Sequence, residues 1–74
     1  MELSIIMGRG KDIDGGVWYH GFVVPTPKNG KPDSSDAVWS TPDCRNEQMV
    51  HDACVSYIRG QGQQNPASVL RQYA

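Results

Sequence analysis

One run of eight residues constrains this chain more than any other feature. The run VWYHGFVV, residues 17–24, consists almost entirely of β-branched and aromatic residues, which favour β-strands. Because side chains alternate across a strand, one face of it carries Trp18, His20 and Phe22. Neither face is polar, so a sheet built around this strand needs a cover on both sides. The members of the other face are Val17, Tyr19, Gly21 and Val23.

Turn-forming residues divide the rest of the chain into short elements. The sequence predicts a first strand at about residues 3–8, the strong strand at about 17–25 and a third strand at about 37–40. Asn29-Gly30, between the second and third strands, is a type I′ hairpin signal. We therefore expect a three-stranded antiparallel meander.

Two helix-start signals follow the strands. Thr41 and Asn65 each precede a proline, which is the arrangement of an N-cap followed by the first helical residue. They predict an amphipathic helix over about residues 42–59 and a short C-terminal helix over about residues 66–73. The expected fold is α+β, in a single small domain spanning residues 1–74. The apolar stripe of the first helix comprises Met49, Val50, Ala53, Cys54, Tyr57 and Ile58.

One long helix can cover only one face of this sheet. We expect it on the face that carries Gly21, because a glycine permits close approach. The face with Trp18, His20 and Phe22, with Trp39 as a further candidate, then needs another cover. Three covers are open: the C-terminal helix folded back, a second copy of the chain, or a different macromolecule.

The charge balance weighs against two classes of function. Seven basic and eight acidic residues give a net charge of −1, whereas a duplex-binding domain usually has a clear positive excess. A protein that imitates nucleic acid would be strongly acidic. No apolar run approaches the length of a membrane span, and the N-terminus lacks the pattern of a secretory signal. We therefore expect a cytoplasmic protein without a membrane partner.

Cys44, His51 and Cys54 are residue types that bind zinc, and all three fall in the first predicted helix. Along its axis, Cys44 and Cys54 would lie about 15 Å apart, too far for a disulfide, and Cys44 and His51 about 10 Å apart, too far to share an ion. Cys44 in a first helical turn, with His20 or His51 as a base, would be a nucleophile candidate, but nothing places that base. We predict reduced cysteines, no metal, no cofactor and no catalytic residue.

Two short glycine-containing motifs are incomplete. The segment DIDGG, residues 12–16, begins like a calcium loop but lacks a third ligand and a distal glutamate, so we interpret it as a solvated turn. The segment GRGK, residues 8–11, lacks the longer glycine frame and the following helix of a phosphate-binding loop.

These features favour a non-enzymatic protein that binds another protein as a regulator or inhibitor. Aromatic residues are common interface anchors. Inhibitors encoded by phages or mobile elements, including anti-CRISPR proteins that act on host defence complexes, share this size and lack of catalytic motifs, which is an analogy of class alone. A homodimer is the other protein arrangement considered. The predicted partner-binding residues are Trp18, His20, Phe22, Trp39, Lys28, Asn29 and Lys31.

The alternative is a small nucleic-acid-binding protein that stacks bases on Trp18 and Phe22. A meander places its two basic connections at opposite ends of the sheet, which weakens this alternative because they would not form one patch. Salt-dependent binding to oligonucleotides would support it. The predicted phosphate contacts are Arg9, Lys11, Lys28 and Lys31.

Overall fold

The computed structural model describes residues 2–73 and shows an α+β fold with a mixed four-stranded sheet and one α-helix. The strand order is β3-β2-β1-β4, in which β4 is parallel to β1 and the other neighbours are antiparallel. The predicted class is therefore confirmed, whereas the predicted element list is only roughly matched. The elements are β1 (Leu3–Lys11), β2 (Val17–Pro25), β3 (Trp39–Ser40), α1 (Glu47–Gly60) and β4 (Val69–Gln72).

β1 and β2 form a hairpin of nine residues on each side, in register up to Lys11 opposite Val17. β1 is thus longer than predicted. The turn that joins the strands is closed by two hydrogen bonds: the Asp12 N–H donates to the Gly16 carbonyl at 2.7 Å, and the Gly15 N–H donates to the Asp12 carbonyl at 3.0 Å. Gly15 has φ 85°, a conformation that favours glycine. The DIDGG segment is therefore a hairpin turn.

α1 begins five residues later than predicted, because Asn46 rather than Thr41 caps it. The Asn46 side-chain oxygen accepts a hydrogen bond from the Met49 N–H at 3.2 Å, as an N-cap does. Thr41 and Pro42 instead continue the edge of the sheet beyond β3. The cap-then-proline signal at Thr41 was therefore wrong about the helix start.

α1 ends in a Schellman motif around Gly62, which has φ 92°. The Gln63 N–H donates to the Ile58 carbonyl at 3.2 Å, and the Gly62 N–H donates to the Arg59 carbonyl at 3.0 Å. Gly60 is the last helical residue, one beyond the predicted end at about residue 59, and the glycine of the Schellman motif lies two residues further on.

The C-terminal segment forms a strand, so the short helix predicted over about residues 66–73 is wrong. Residues 69–72 are β4, which pairs with one edge of β1. Just before β4, the Ile5 N–H donates to the Ser68 carbonyl at 2.9 Å. The open edge of β1 therefore overrides the local helix signal at Asn65 and Pro66, because it offers hydrogen bonds that an isolated short helix lacks.

The core lies between α1 and one face of the sheet. Gly21 of β2 permits the close approach, because a Cβ at this position would lie 2.6 Å from Cys54 Sγ and 2.9 Å from Val50 Cγ1. The prediction that the helix covers the Gly21 face is confirmed. Met49, a member of the predicted apolar stripe, is exposed instead. The buried core residues are Leu3, Ile5, Met7, Val23, Val50, Cys54 and Ile58.

The second face of the sheet is covered at one end. Ile6 and Val24 point away from α1 and are nevertheless 1% and 0% exposed. The connection between β2 and β3, which contains a 3-10 turn at Ser34–Asp36, packs against β2, and we assign the cover to it rather than to a C-terminal helix. The predicted type I′ turn does not form in this connection, because Gly30 has a positive φ and Asn29 does not.

Candidate functional site: an aromatic strip on the second sheet face

Three rings of β2 form a row on the sheet face that points away from α1. The ring centroids of Trp18 and His20 are 5.3 Å apart with an interplanar angle of 34°. Those of His20 and Phe22 are 5.0 Å apart at 78°. All three residues are half-buried. We call these three residues the aromatic strip.

The aromatic strip lies beside glycines of the neighbouring strand. The register places Gly10 opposite Trp18 and Gly8 opposite His20. A Cβ at Gly10 would overlap the Trp18 ring, and one at Gly8 would overlap the His20 ring. The missing side chains therefore let both rings lie against the backbone of β1, an arrangement known from other sheets in which aromatic residues cover glycines.

The edge next to β2 is irregular beside the aromatic strip. The Thr41 N–H donates to the Gly21 carbonyl at 2.9 Å, and the Thr41 hydroxyl accepts a hydrogen bond from the Gly21 N–H at 2.9 Å. Further along, Cys44 and Tyr19 exchange two backbone hydrogen bonds, of 2.7 and 2.8 Å. Two residues of the edge thus stand opposite a single residue of β2, which is the definition of a β-bulge.

The bulge brings a carboxylate to the aromatic strip. Pro42 and Asp43 are the two residues that oppose His20, and Asp43 Oδ1 lies 3.9 Å from His20 Nδ1. A bulge commonly re-aims a side chain in this way. The Asp43 side chain is 67% exposed.

A polar cleft adjoins the aromatic strip at Trp18. Its volume is about 270 Å³. Arg45, at its border, forms an ion pair with Asp12 and also donates to the Val17 carbonyl at 3.2 Å. We call it the Trp18 cleft. The residues that line it are Asp12, Trp18, Asp43, Cys44 and Arg45.

The cysteines and histidines do not come together as a metal site in the described part of the chain. Cys44 lies at the edge of the sheet, before the Asn46 N-cap of α1, and not in a first helical turn as predicted. Cys54 is buried in the core, and this burial raises the pKa of its thiol to about 11. Both cysteines are free. Within residues 2–73, no three potential metal ligands come together.

Two parts of the predicted partner site lie away from the aromatic strip. Trp39 lies on the α1 side of the sheet, where it stacks on Tyr57 at 4.8 Å between centroids and 11° between planes. Its assignment to the face of Trp18 was wrong, because the sequence does not define the register of β3. The predicted rim of Lys28, Asn29 and Lys31 lies in the connection after β2, beyond the end opposite to Trp18.

The cations of the nucleic-acid alternative also lie off the aromatic strip. Alternation along β1 places Arg9 and Lys11 on the α1 side, where the Arg9 guanidinium lies 4.7 Å from the centre of the Tyr73 ring. The loop residues Lys28 and Lys31 are exposed at the other end of the sheet. The two pairs therefore do not form one basic patch.

Sequence reasoning missed the residues that shape this site. For Gly8 and Gly10 a signal was present, because a hairpin turning at residues 12–16 aligns these two glycines with two rings of the strong strand. For Asp43 there was none, since its position depends on a bulge in an irregular edge.

Comparisons with known proteins leave the geometry as the only guide to function. No protein-family model matches the chain, and neither a curated protein nor a solved structure shows significant similarity to it. Over residues 2–73, the one helix is too short and too polar to cross a bilayer.

Proposed function

We propose that this chain is a non-enzymatic protein that binds another protein through the aromatic strip. The observation that supports the proposal is that three adjacent rings remain partly exposed on one sheet face. Aromatic side chains are over-represented among the residues that dominate binding energy, and exposed apolar patches on small proteins commonly mark interaction sites.

The aromatic strip is built on rigid elements. β2 is paired on both sides, with β1 and with β3, and two of the rings lie beside the glycines of β1. Rings that are already ordered lose little conformational freedom when a partner covers them, so more of the contact energy contributes to affinity.

The charge of this face favours a protein over a nucleic acid as the partner. Single-strand-binding proteins combine aromatic stacking with a positively charged groove. Here Arg9 and Lys11 lie on the other face, so bases stacked on Trp18 and Phe22 would lack phosphate contacts from β1. On the strip face of β1, β2 and β4, strand alternation places Ser4, Ile6, Gly8, Gly10, Trp18, His20, Phe22, Val24, Leu70 and Gln72.

The proposed consequence of binding is the occlusion of a surface on a larger target in the cytoplasm. The support for this part is the small size of the chain. A regulator or inhibitor encoded by a phage or mobile element, acting on a host enzyme or a defence complex in the manner of anti-CRISPR proteins, is the class that we propose. A homodimer through the aromatic strip is the competing arrangement.

Photo-crosslinking followed by reconstitution tests the proposal. A benzophenone amino acid at position 20, irradiated in extract of the organism that encodes the chain, should give one main protein adduct, which mass spectrometry identifies. With that partner purified, Trp18→Ala and Phe22→Ala should each weaken binding about thirtyfold, the size of a hot-spot effect. Val38→Ala is the matched control, because Val38 is 50% exposed and borders a cleft with Tyr57 on the α1 side.

Three results would contradict the proposal. The first is unchanged partner binding by folded Trp18→Ala and Phe22→Ala variants. The second is an equal loss of binding in the Val38→Ala control. The third is salt-dependent binding to oligonucleotides that requires the same rings, which would instead support the nucleic-acid alternative.

A further inference from the structure

The aromatic strip and the Trp18 cleft form one continuous surface, because Trp18 belongs to both. The cleft volume of about 270 Å³ falls below the range of about 300–1,000 Å³ that is usual for small-molecule sites. A cleft of this size, open beside a row of rings, has room for one long side chain of a partner that covers the strip.

The carboxylate of Asp43 lies at the Trp18 cleft and is able to bind a further cation. The other carboxylate at this cleft, Asp12, is already paired with Arg45. Among residues 2–73, the closest basic side chain to Asp43 is His20, with 3.9 Å between the closest atoms, whereas a charge-assisted hydrogen bond is about 2.7–2.9 Å long. Asp43 can therefore accept hydrogen bonds from a cation supplied from outside.

We propose that the Trp18 cleft receives an arginine side chain of the protein that covers the aromatic strip, an inference that rests on the proposed function. A guanidinium is planar, stacks on aromatic rings and donates to a carboxylate through a fork of N–H groups. Trp18 and Asp43 border the same cleft, so one guanidinium can contact both. A lysine would lack the stacking and the fork.

Charge complementarity favours a different protein over a second copy of this chain. A two-fold interface through the aromatic strip would bring the same surface of both copies together. The one arginine that this surface presents in the described residues, Arg45, is already paired with Asp12 of its own chain and donates to the Val17 carbonyl, and β1, β2 and β4 present no arginine or lysine on this face. A second copy would therefore bring Asp43 of one chain near Asp43 of the other without an unpaired cation between them. Like charges at an interface are unfavourable.

The intact ¹⁵N-labelled chain can be titrated with two capped tripeptides. The probe is acetyl-Gly-Arg-Gly-amide, and its control replaces arginine with citrulline, which keeps the shape and removes the charge. The two indole N–H resonances provide an internal comparison, since Trp39 stacks on Tyr57 on the opposite side of the sheet. The Trp18 resonance should shift with a dissociation constant in the millimolar range, and the Trp39 resonance should not.

Substitution of the carboxylate should weaken this binding. Asp43→Asn should raise the dissociation constant for the arginine peptide about two- to fivefold, as expected for an exposed ion pair. The citrulline peptide should bind the unchanged protein with a dissociation constant that is higher by a similar factor. Asp36→Asn is the matched control, because Asp36 is also exposed and lies in the 3-10 turn. An unchanged Trp39 resonance verifies that each variant is folded.

Several outcomes would overturn the inference. These are equal binding of the two peptides, equal shifts at both tryptophans, unchanged binding by Asp43→Asn, or no shift in the millimolar range. The proposed function is judged separately. If Trp18→Ala and Phe22→Ala abolish binding of the purified partner while Asp43→Asn has no effect on it, the proposed function stands and the arginine inference fails.

Discussion

Gly8, Gly10 and Gly21 lie within strands, where a glycine ordinarily weakens the structure. None of the three has a positive φ, so their role is the missing side chain and not a special backbone conformation. Gly8 and Gly10 make room for two rings of the aromatic strip, and Gly21 makes room for α1. Gly8 and Gly10 therefore determine how closely the rings lie against β1, and Gly21 determines how closely α1 lies against β2.

Adding one methyl group at Gly21 should destabilise the protein. Gly21→Ala is expected to lower the free energy of unfolding by about 1–3 kcal/mol, because the new methyl would crowd Cys54 and Val50 in the core. Gly60→Ala is the matched control at the end of α1, where nothing lies within 4 Å of the added methyl. It should raise the free energy by up to about 1 kcal/mol. Urea denaturation measures both, and a Gly21→Ala variant as stable as Gly60→Ala would contradict this account.

At the scale of elements, two segments that the sequence predicts to start helices pair with unpaired strand edges instead. Thr41 precedes a proline as an N-cap would, but its hydroxyl and N–H bind Gly21 at the edge of β2. On the other side of the sheet, the Gln63 side-chain amide accepts from the Leu3 N–H at 2.8 Å and donates to the Leu3 carbonyl at 2.9 Å, like a neighbouring strand. Just after Asn65-Pro66, the Ala67 N–H also donates to the Leu3 carbonyl, at 2.9 Å. Both helix-start signals were therefore overridden by hydrogen-bond partners distant in sequence.

The start of α1 can be tested by whether one substitution raises or lowers the free energy of unfolding. Asn46→Ala should lower the free energy of unfolding by about 0.5–2 kcal/mol, because it removes the acceptor for the Met49 N–H. Asn46→Ser retains an acceptor and should remain close to the unchanged protein. If α1 began at Thr41 instead, position 46 would be inside the helix, and alanine there would be stabilising. Thermal or urea unfolding followed by circular dichroism distinguishes these two signs.

The whole molecule consists of two layers. Its Cα atoms extend 40 × 25 × 15 Å, and the shortest extent accommodates α1 on the sheet but not a third layer, which would add about 10 Å. In a chain of 74 residues, the one long helix covers most of one sheet face, although Arg9 and Lys11 at the end of β1 remain exposed on that side. The connection after β2 covers part of the other face, and the aromatic strip remains partly exposed as a result.

The free energy of unfolding should fall as the pH rises above about 9. Burial raises the pKa of the Cys54 thiol from 9.0 to about 11, so the folded state holds this proton more tightly than the unfolded state does. The stabilisation is complete below pH 9 and declines between pH 9 and pH 11, at about 1.4 kcal/mol for each unit of pKa difference. Burial and the hydrogen bond to Glu47 raise the pKa of Tyr73 to about 12, which extends the decline to higher pH.

Urea unfolding under reducing conditions, from neutral pH to about pH 10.5, measures this dependence. Cys54→Ala should reduce the decline of the free energy of unfolding just above pH 9. The same substitution leaves a cavity and therefore lowers the free energy of unfolding at every pH. Cys44→Ala is the control and should retain the decline, because it removes the other cysteine and leaves the buried Cys54 thiol in place. The same pH dependence in Cys54→Ala and in the unchanged protein would rule out the buried thiol as its cause.

The sequence by itself determined the α+β class, the strong strand with two apolar faces, and the face of that strand that lies under the helix. These properties depend on local propensity and on the alternation of side chains, which can be read from neighbouring residues. Only the tertiary structure decided that α1 begins at Asn46, that residues 69–72 form a strand, and that Trp39 and Trp18 lie on opposite faces. Each of these depends on which backbone edge is left unpaired after β1 and β2 have joined, and hydrogen bonds to that edge outweigh the preference of a short segment.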